Sequence, residues 1–387
     1  MRLHAQVMSG RCGRTFAGAL LVVGLAGALA TAAAGAGSRR DREPSAKTAT
    51  SLLPAAGTFV SLLPACGCSR SEVLERFAVS NGRRLGRLAS VPVDGFQVAT
   101  PASTSHGRLF VTMTRSGRCS ASGYAECPHW VAGSCRNEVQ TLAPGGSRQQ
   151  LAFDVTGSVR VGEVVPSPDG GRVALAMTPC VSAAGTAGMY ITGANGGRAR
   201  AVMSATNVCD AYGPAAWNAT GSEIAFPYEP AGGRPVLMAG GFGCPEGPRN
   251  YLVIASTDAG VHRRTLVKAG RTCVFEAVAF DSAGLLAAEG CSHGSPKRQF
   301  SPNLGDAFLM QYSTTGHLQR SMALERGLEQ AVLSTAPGTG DVLVTQDRPA
   351  NEPYPEEDLV WEFDGKALRL IARYRAEDAA QVLAVAW

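Results

Sequence analysis

Gly290-Cys291-Ser292-His293-Gly294 spells G-x-S-x-G, the pattern that places a serine nucleophile on a sharp strand-to-helix turn. Such a serine needs an acid and a histidine further along the chain, and beyond the motif only His317 remains. The motif also ends a short apolar β run in Gly-punctuated sequence, so the match is read as coincidence. Glu352, Glu356, Glu357 and Asp358 form a second gathering of reactive groups. They suit either a metal or carboxylate-pair site or a solvated loop, and the loop is the favoured reading. No HExxH, P-loop or EF-hand loop is present, and no G-x-G-x-x-G stands in a fitting context. Cys127-Pro-His129 offers too few ligands for zinc. Asn218-Ala219-Thr220 is formally a glycosylation sequon, but it occupies a turn. The sequence therefore predicts no catalytic residue, no metal and no cofactor.

The elements that carry these residues follow from composition and spacing. Of 387 residues, 45% are hydrophobic and 17% charged, with 46 glycines spread throughout. That excludes a disordered chain and a coiled coil. Only one stretch is long and apolar enough to cross a bilayer, which excludes a polytopic membrane protein. Arg11 and Arg14 precede that run, Phe16 to about Ala34, and Ala32-Ala33-Ala34-Gly35-Ala36 closes it. This is the pattern of a secretory leader over 1–36, the alternative being an uncleaved signal anchor. A linker is expected over 37–57. Net charge is +5, three of the positives lie in the leader, and no Lys/Arg stripe suggests nucleic acid. Of eleven cysteines, ten lie beyond the leader, an even number that fits disulfides in an exported, extracytoplasmic protein.

From residue 58 onward, short Val-, Leu- and Ile-rich runs alternate with Gly turns. Gly82, Gly146, Gly197, Gly260 and Gly316 mark one series of turns, at intervals of 64, 51, 63 and 56. Gly107, Gly171, Gly221, Gly284 and Gly340 mark another, at 64, 50, 63 and 56. Two markers that drift in step imply a repeated unit with insertions, here over residues 114–136 and 229–250. Each unit reads as four strands, a to d, which is the signature of a propeller blade. Six blades are expected over 58–387. The chain begins with strands b (near Thr58–Leu63), c (Val73–Val79) and d (Leu85–Ala89), and ends with an unmatched a strand at Val382–Trp387. The last strand is therefore expected to pair with the first blade and close the ring, removing an open edge.

Val165-Pro166-Ser167-Pro168-Asp169-Gly170-Gly171-Arg172-Val173-Ala174-Leu175 and Ala216-Trp217-Asn218-Ala219-Thr220-Gly221-Ser222-Glu223-Ile224-Ala225-Phe226 resemble the repeats of TolB-like (WD40-like, PD40) propellers. Pro166 stands where that family has Trp, and Asn-Ala-Thr at 218–220 where it has Ser-Pro-Asp. The chain also resembles exported propeller proteins of high-GC bacteria. The resemblance implies binding to another protein or an envelope component, without naming the partner.

Cys180 and Cys209 are 29 residues apart, as are Cys244 and Cys273, and both pairs occupy the same places in their units. Strands b and d run the same way, so disulfides Cys180–Cys209 and Cys244–Cys273 are expected on one face. The pairing of Cys66, Cys68, Cys119, Cys127, Cys135 and Cys291 stays open. Tyr124, His129, Trp130, Phe242, Arg249 and Tyr251 are candidate contacts on that b–c and d–a face, the alternative being that they cover the insertions' own small cores. The expected function is an exported, monomeric, non-catalytic binding or scaffold protein. The alternatives are a propeller hydrolase or lyase with a site in the central channel, and an inert structural domain.

Overall fold

The computed structural model describes residues 57–63, 71–92, 97–105, 108–116, 135–142, 148–151, 153–154, 159–179, 188–205, 210–232, 236–238, 241–243, 250–258, 262–270, 272–292, 305–328, 330–336, 340–348, 357–375 and 385–386. Everything structural below concerns these residues. They form antiparallel sheets arranged as a β-propeller, and among them no helix is long and apolar enough to cross a membrane.

The first sheet holds β1 (Thr58–Leu63), β2 (Ser71–Ala78) and β3 (Arg84–Pro92). The second holds β4 (Gln97–Ser105), β5 (Arg108–Ser116), β6 (Cys135–Leu142) and β7 (Arg148–Leu151). After β8 (Phe153–Asp154) come β9 (Val159–Pro166), β10 (Arg172–Pro179), β11 (Gly188–Gly193), β12 (Gly197–Arg198) and β13 (Arg200–Ser204), where β9, β10, β11 and β13 make the third sheet. The fourth has five strands: β14 (Ala211–Tyr212), β15 (Ala216–Trp217), β16 (Glu223–Glu229), β19 (Tyr251–Ser256) and β20 (Arg263–Lys268). Its b–c insertion carries a hairpin of β17 (Val236–Met238) and β18 (Gly241–Gly243). The fifth is β21 (Cys273–Phe280), β22 (Leu285–Cys291), β23 (Asp306–Tyr312) and β24 (Leu318–Ala323). The sixth is β25 (Gln330–Thr335), β26 (Val342–Arg348), β27 (Glu357–Phe363) and β28 (Leu368–Arg375). Finally β29 (Val385–Ala386) pairs antiparallel with β1, Val60 opposite Ala386 and Ser61 opposite Val385. Five sheets thus have four strands each and one has five.

Residue chemistry explains which strand lies where. Strands with neighbours on both faces are mostly apolar, and Leu285–Gly290 is buried at every position, Glu289 being the one charged residue in it. The outermost strand of a unit has one open edge. There the sequence places Arg263, Arg264 and Lys268, and later Arg369, Arg373 and Arg375, whose charges discourage pairing with another chain. The core lies between neighbouring sheets, in separate clusters. Met189, Ile191 and Val202 pack on Trp217, Phe226 and Val253; Leu286 and Leu309 pack on Val342 and Val344; Phe59 and Phe77 pack on Leu343, Val360 and Ile371.

The turns behave as their composition predicts. Asp169 Oδ1 accepts the Gly171 amide at 3.1 Å and the Ser167 hydroxyl, while Gly170, at φ 66°, donates to Ser167 O. In the next unit Asn218 Oδ1 accepts from the Ser222 and Glu223 amides, so the sequon sits in a turn that uses its own asparagine. Gly82 (φ +65°) is required for a second reason, since a Cβ there would lie 2.2 Å from Ala372 Cβ.

Candidate functional site

The b–c and d–a loops gather the strand ends that carry charge. Arg348 is the last residue of β26, Glu357 the first of β27, and Arg373 and Arg375 end β28. Glu325 comes from the loop joining β24 to β25. That loop is pinned by buried Gln346, whose Nε2 donates to Glu325 O at 2.6 Å and Gly327 O at 2.7 Å. Gln346 is in turn held by Trp361 Nε1, 3.2 Å from its Oε1.

Four of these residues close a ring of alternating charge. Arg348 donates to Glu325 Oε2 at 2.8 Å and to Glu357 Oε2 at 2.6 Å. Arg373 donates to Glu357 Oε2 at 2.5 Å and to Glu325 Oε1. Arg375 Nε stands 3.7 Å from the other Glu357 oxygen. Glu357 and Arg348 are almost fully enclosed, whereas Glu325 is 29% and Arg373 35% exposed, so the ring opens to solvent on one side. The hydrogen bond to Glu325 is the main reason the Arg373 guanidinium is held above its usual range. Removing a carboxylate and a guanidinium from water is costly, and shared donors on both carboxylates offset that cost by keeping each charge paired.

This corrects the solvated-loop reading of the acidic run. Glu352 and Glu356 lie outside the described residues, but Glu357 and Asp358 are strand residues and both are buried. The spacing of the acids along the chain did not reveal the arginines, which come from the neighbouring strands.

A second cluster lies at the same end of the fifth sheet. Cys273, the first residue of β21, and Cys291, the last of β22, are direct cross-strand partners joined by a disulfide, with Cα atoms 4.0 Å apart. The expected Cys244–Cys273 bridge is therefore corrected. The argument from equivalent places in the blade paired Cys273 with a loop residue, whereas register sets it against Cys291. Glu289 lies beside the two sulfurs, and burial pushes its carboxyl up from the ordinary range against the opposing effect of the Gly270 amide. The G-x-S-x-G run starts on Gly290 and Cys291, the last residues of β22 in an antiparallel sheet, and the Ser292 amide donates to Thr272 O, which is not the strand-to-helix setting of a nucleophile elbow; His293 and Gly294 lie outside the described residues.

Of the other candidates, Tyr251 opens β19 and packs, partly buried, against the core between the third and fourth sheets. Phe242 lies in the β17–β18 hairpin opposite Leu237. Tyr124, His129, Trp130, Arg249, Cys180, Cys209 and Cys244 lie outside the described residues. Of the two contact candidates among the described residues, neither Tyr251 nor Phe242 is a member of the charged ring.

No family model matches the chain, and no curated protein matches it. Solved structures do. Prolyl oligopeptidase B from Galerina marginata matches with a TM-score of 0.47 and 12% identity over 83% of this chain and 41% of that one. The tricorn protease matches at 0.46 and 8%, over 82% and 30%. An ACO/RPE65 chimera matches at 0.43 and 12%, over 82% and 72%. The chain spans about two fifths of prolyl oligopeptidase B. At these identities the likeness is one of fold. Peptidases are among these matches, which goes against the expected non-catalytic binding or scaffold protein and against the expectation that the chain is not an enzyme; a likeness of fold at this level assigns no activity to this chain.

Proposed function

We propose that the chain is a propeller hydrolase, or the propeller part of one, working on the b–c and d–a face around Glu325, Arg348, Glu357 and Arg373. The observation that carries this reading is the alternating ring, in which two guanidiniums hold two carboxylates side by side and screen Glu357 from water. A carboxylate in such a place offers a base, and guanidinium donors stabilise negative charge developing on a nearby oxygen. Glu325 occupies the open side. A substrate carboxylate taking its place between Arg348 and Arg373 would preserve the charge pattern and bring an acyl carbon toward Glu357. The favoured substrates are acyl compounds with a free carboxylate near the scissile bond, short acidic peptides first. The test is hydrolysis of matched peptides and esters with and without that carboxylate. Glu357→Gln should lower kcat/KM by about 100-fold or more, and Arg373→Lys should mainly raise KM. A wild-type chain that hydrolyses neither set, or a Glu357→Gln chain as active as wild type, overturns the reading.

The finer architecture belongs to the same proposal. The five-stranded sheet counts as one of six blades, and β29 supplies the inner strand that the first lacks; support comes from the β1–β29 pairing and from the position of β29 against β4, β25 and β26. The repeats are read as TolB-like, supported by the turns at Asp169 and Asn218. An exported location, the leader over 1–36 and a Cys180–Cys209 bridge rest on the sequence pattern.

A further inference from the structure

We propose that Cys273, Cys291 and Glu289 form a zinc-type divalent-cation site when the disulfide is reduced. Both sulfurs and a Glu289 carboxylate oxygen lie within 4.8 Å of one another. Cys291 and Glu289 are two apart on β22 and so share a face, and Cys273 is brought opposite by the β21–β22 register. Two thiolates and one carboxylate are ligands zinc accepts, and three protein ligands leave its fourth position to water. The carboxylate is enclosed and fixed by the Gly270 amide, while both cysteines are only partly buried. Solvent and a reductant thus reach the sulfurs, and the third ligand is already in place.

Disulfide and cation exclude each other. A dithiol reductant delivers two electrons and two protons to the S–S bond, becomes a disulfide itself, and leaves two thiols. The cation then displaces two thiol protons to water as the two S–metal bonds form. The strands need not separate, because the ladder from Val274 opposite Gly290 to Phe280 opposite Leu285 continues beyond the cysteines. The site lies in a different sheet from the Glu325–Glu357 ring and does not rest on the hydrolase reading.

Cobalt(II) ion is the probe, because thiolate ligation gives it a near-ultraviolet charge-transfer band. The full chain is reduced with dithiothreitol, freed of reductant without oxygen, and titrated beside Cys273→Ser/Cys291→Ser and Glu289→Gln. Reduced wild type should bind one cobalt more than the double-serine chain and release it to zinc, and the oxidised chain should lack that equivalent. Glu289→Gln, which keeps both cysteines, should bind it about tenfold or more weakly. Equal uptake by wild type and the double-serine chain, or unchanged affinity in Glu289→Gln, overturns the proposal.

Discussion

Trp217 shows how one side chain locks neighbouring blades. Its Nε1 donates to Val165 O of the third sheet at 2.9 Å, and the Arg172 guanidinium lies over its ring, 5.2 Å from the centroid. Arg172 then reaches Gly221 O at 2.7 Å, tying back to the turn after Trp217. Trp217→Phe keeps a ring but leaves Val165 O without this donor, so it should cost about 1–2 kcal/mol in urea unfolding. Asp169 offers a pH-dependent test. Its carboxyl is held below the ordinary range by the Ser167 hydroxyl first and the Gly171 amide second. A depressed folded pKa contributes stability at neutral pH that fades as the folded group protonates. The stability gap between wild type and Asp169→Ala should therefore be present at pH 7 and shrink below about pH 4; thermal melts at stepped pH measure it. Asp169 was legible as a turn former because its partners lie within a few residues of it. Glu357 was not, because the arginines that pair it arrive from β26 and β28.

At the level of strands, the turns and apolar runs were readable and the cross-links were not. The expected b, c and d strands of the first unit fall on β1, β2 and β3, since each is a local apolar run bounded by turn residues. A disulfide depends on register between strands, and register is set by pairing that no single segment carries. That is why Cys273 was assigned to Cys244 and found on Cys291. The two-residue strand β29 gives the clearest test. Removing Val385-Ala386-Trp387 uncovers the inner edge of β1, so the truncated chain should melt roughly 5 °C lower and self-associate. Scanning calorimetry and light scattering would check both.

Across the whole molecule, the two drifting glycine series were the strongest signal, because insertions displace both markers of a unit together. The charged ring had no such periodicity, since among the described residues it occurs at one place, where the β24–β25 loop meets the sixth sheet. If β29 completes the first sheet, the order of the sheets around the axis matters more than where the peptide chain is cut. A circular permutant that joins 387 to 57 through a short Gly/Ser linker and opens at the exposed Asp364–Lys366 turn should fold, with a melting temperature within a few degrees of the parent's. A markedly less stable permutant would count against the latch. The two-residue β1–β29 pairing also has a mechanical side. Tension applied between residue 387 and the start of β1 bears first on the contacts at Val60 and Ser61. The first rip in a single-molecule pulling trace should be a small, low-force release of the tail, well before any sheet comes apart.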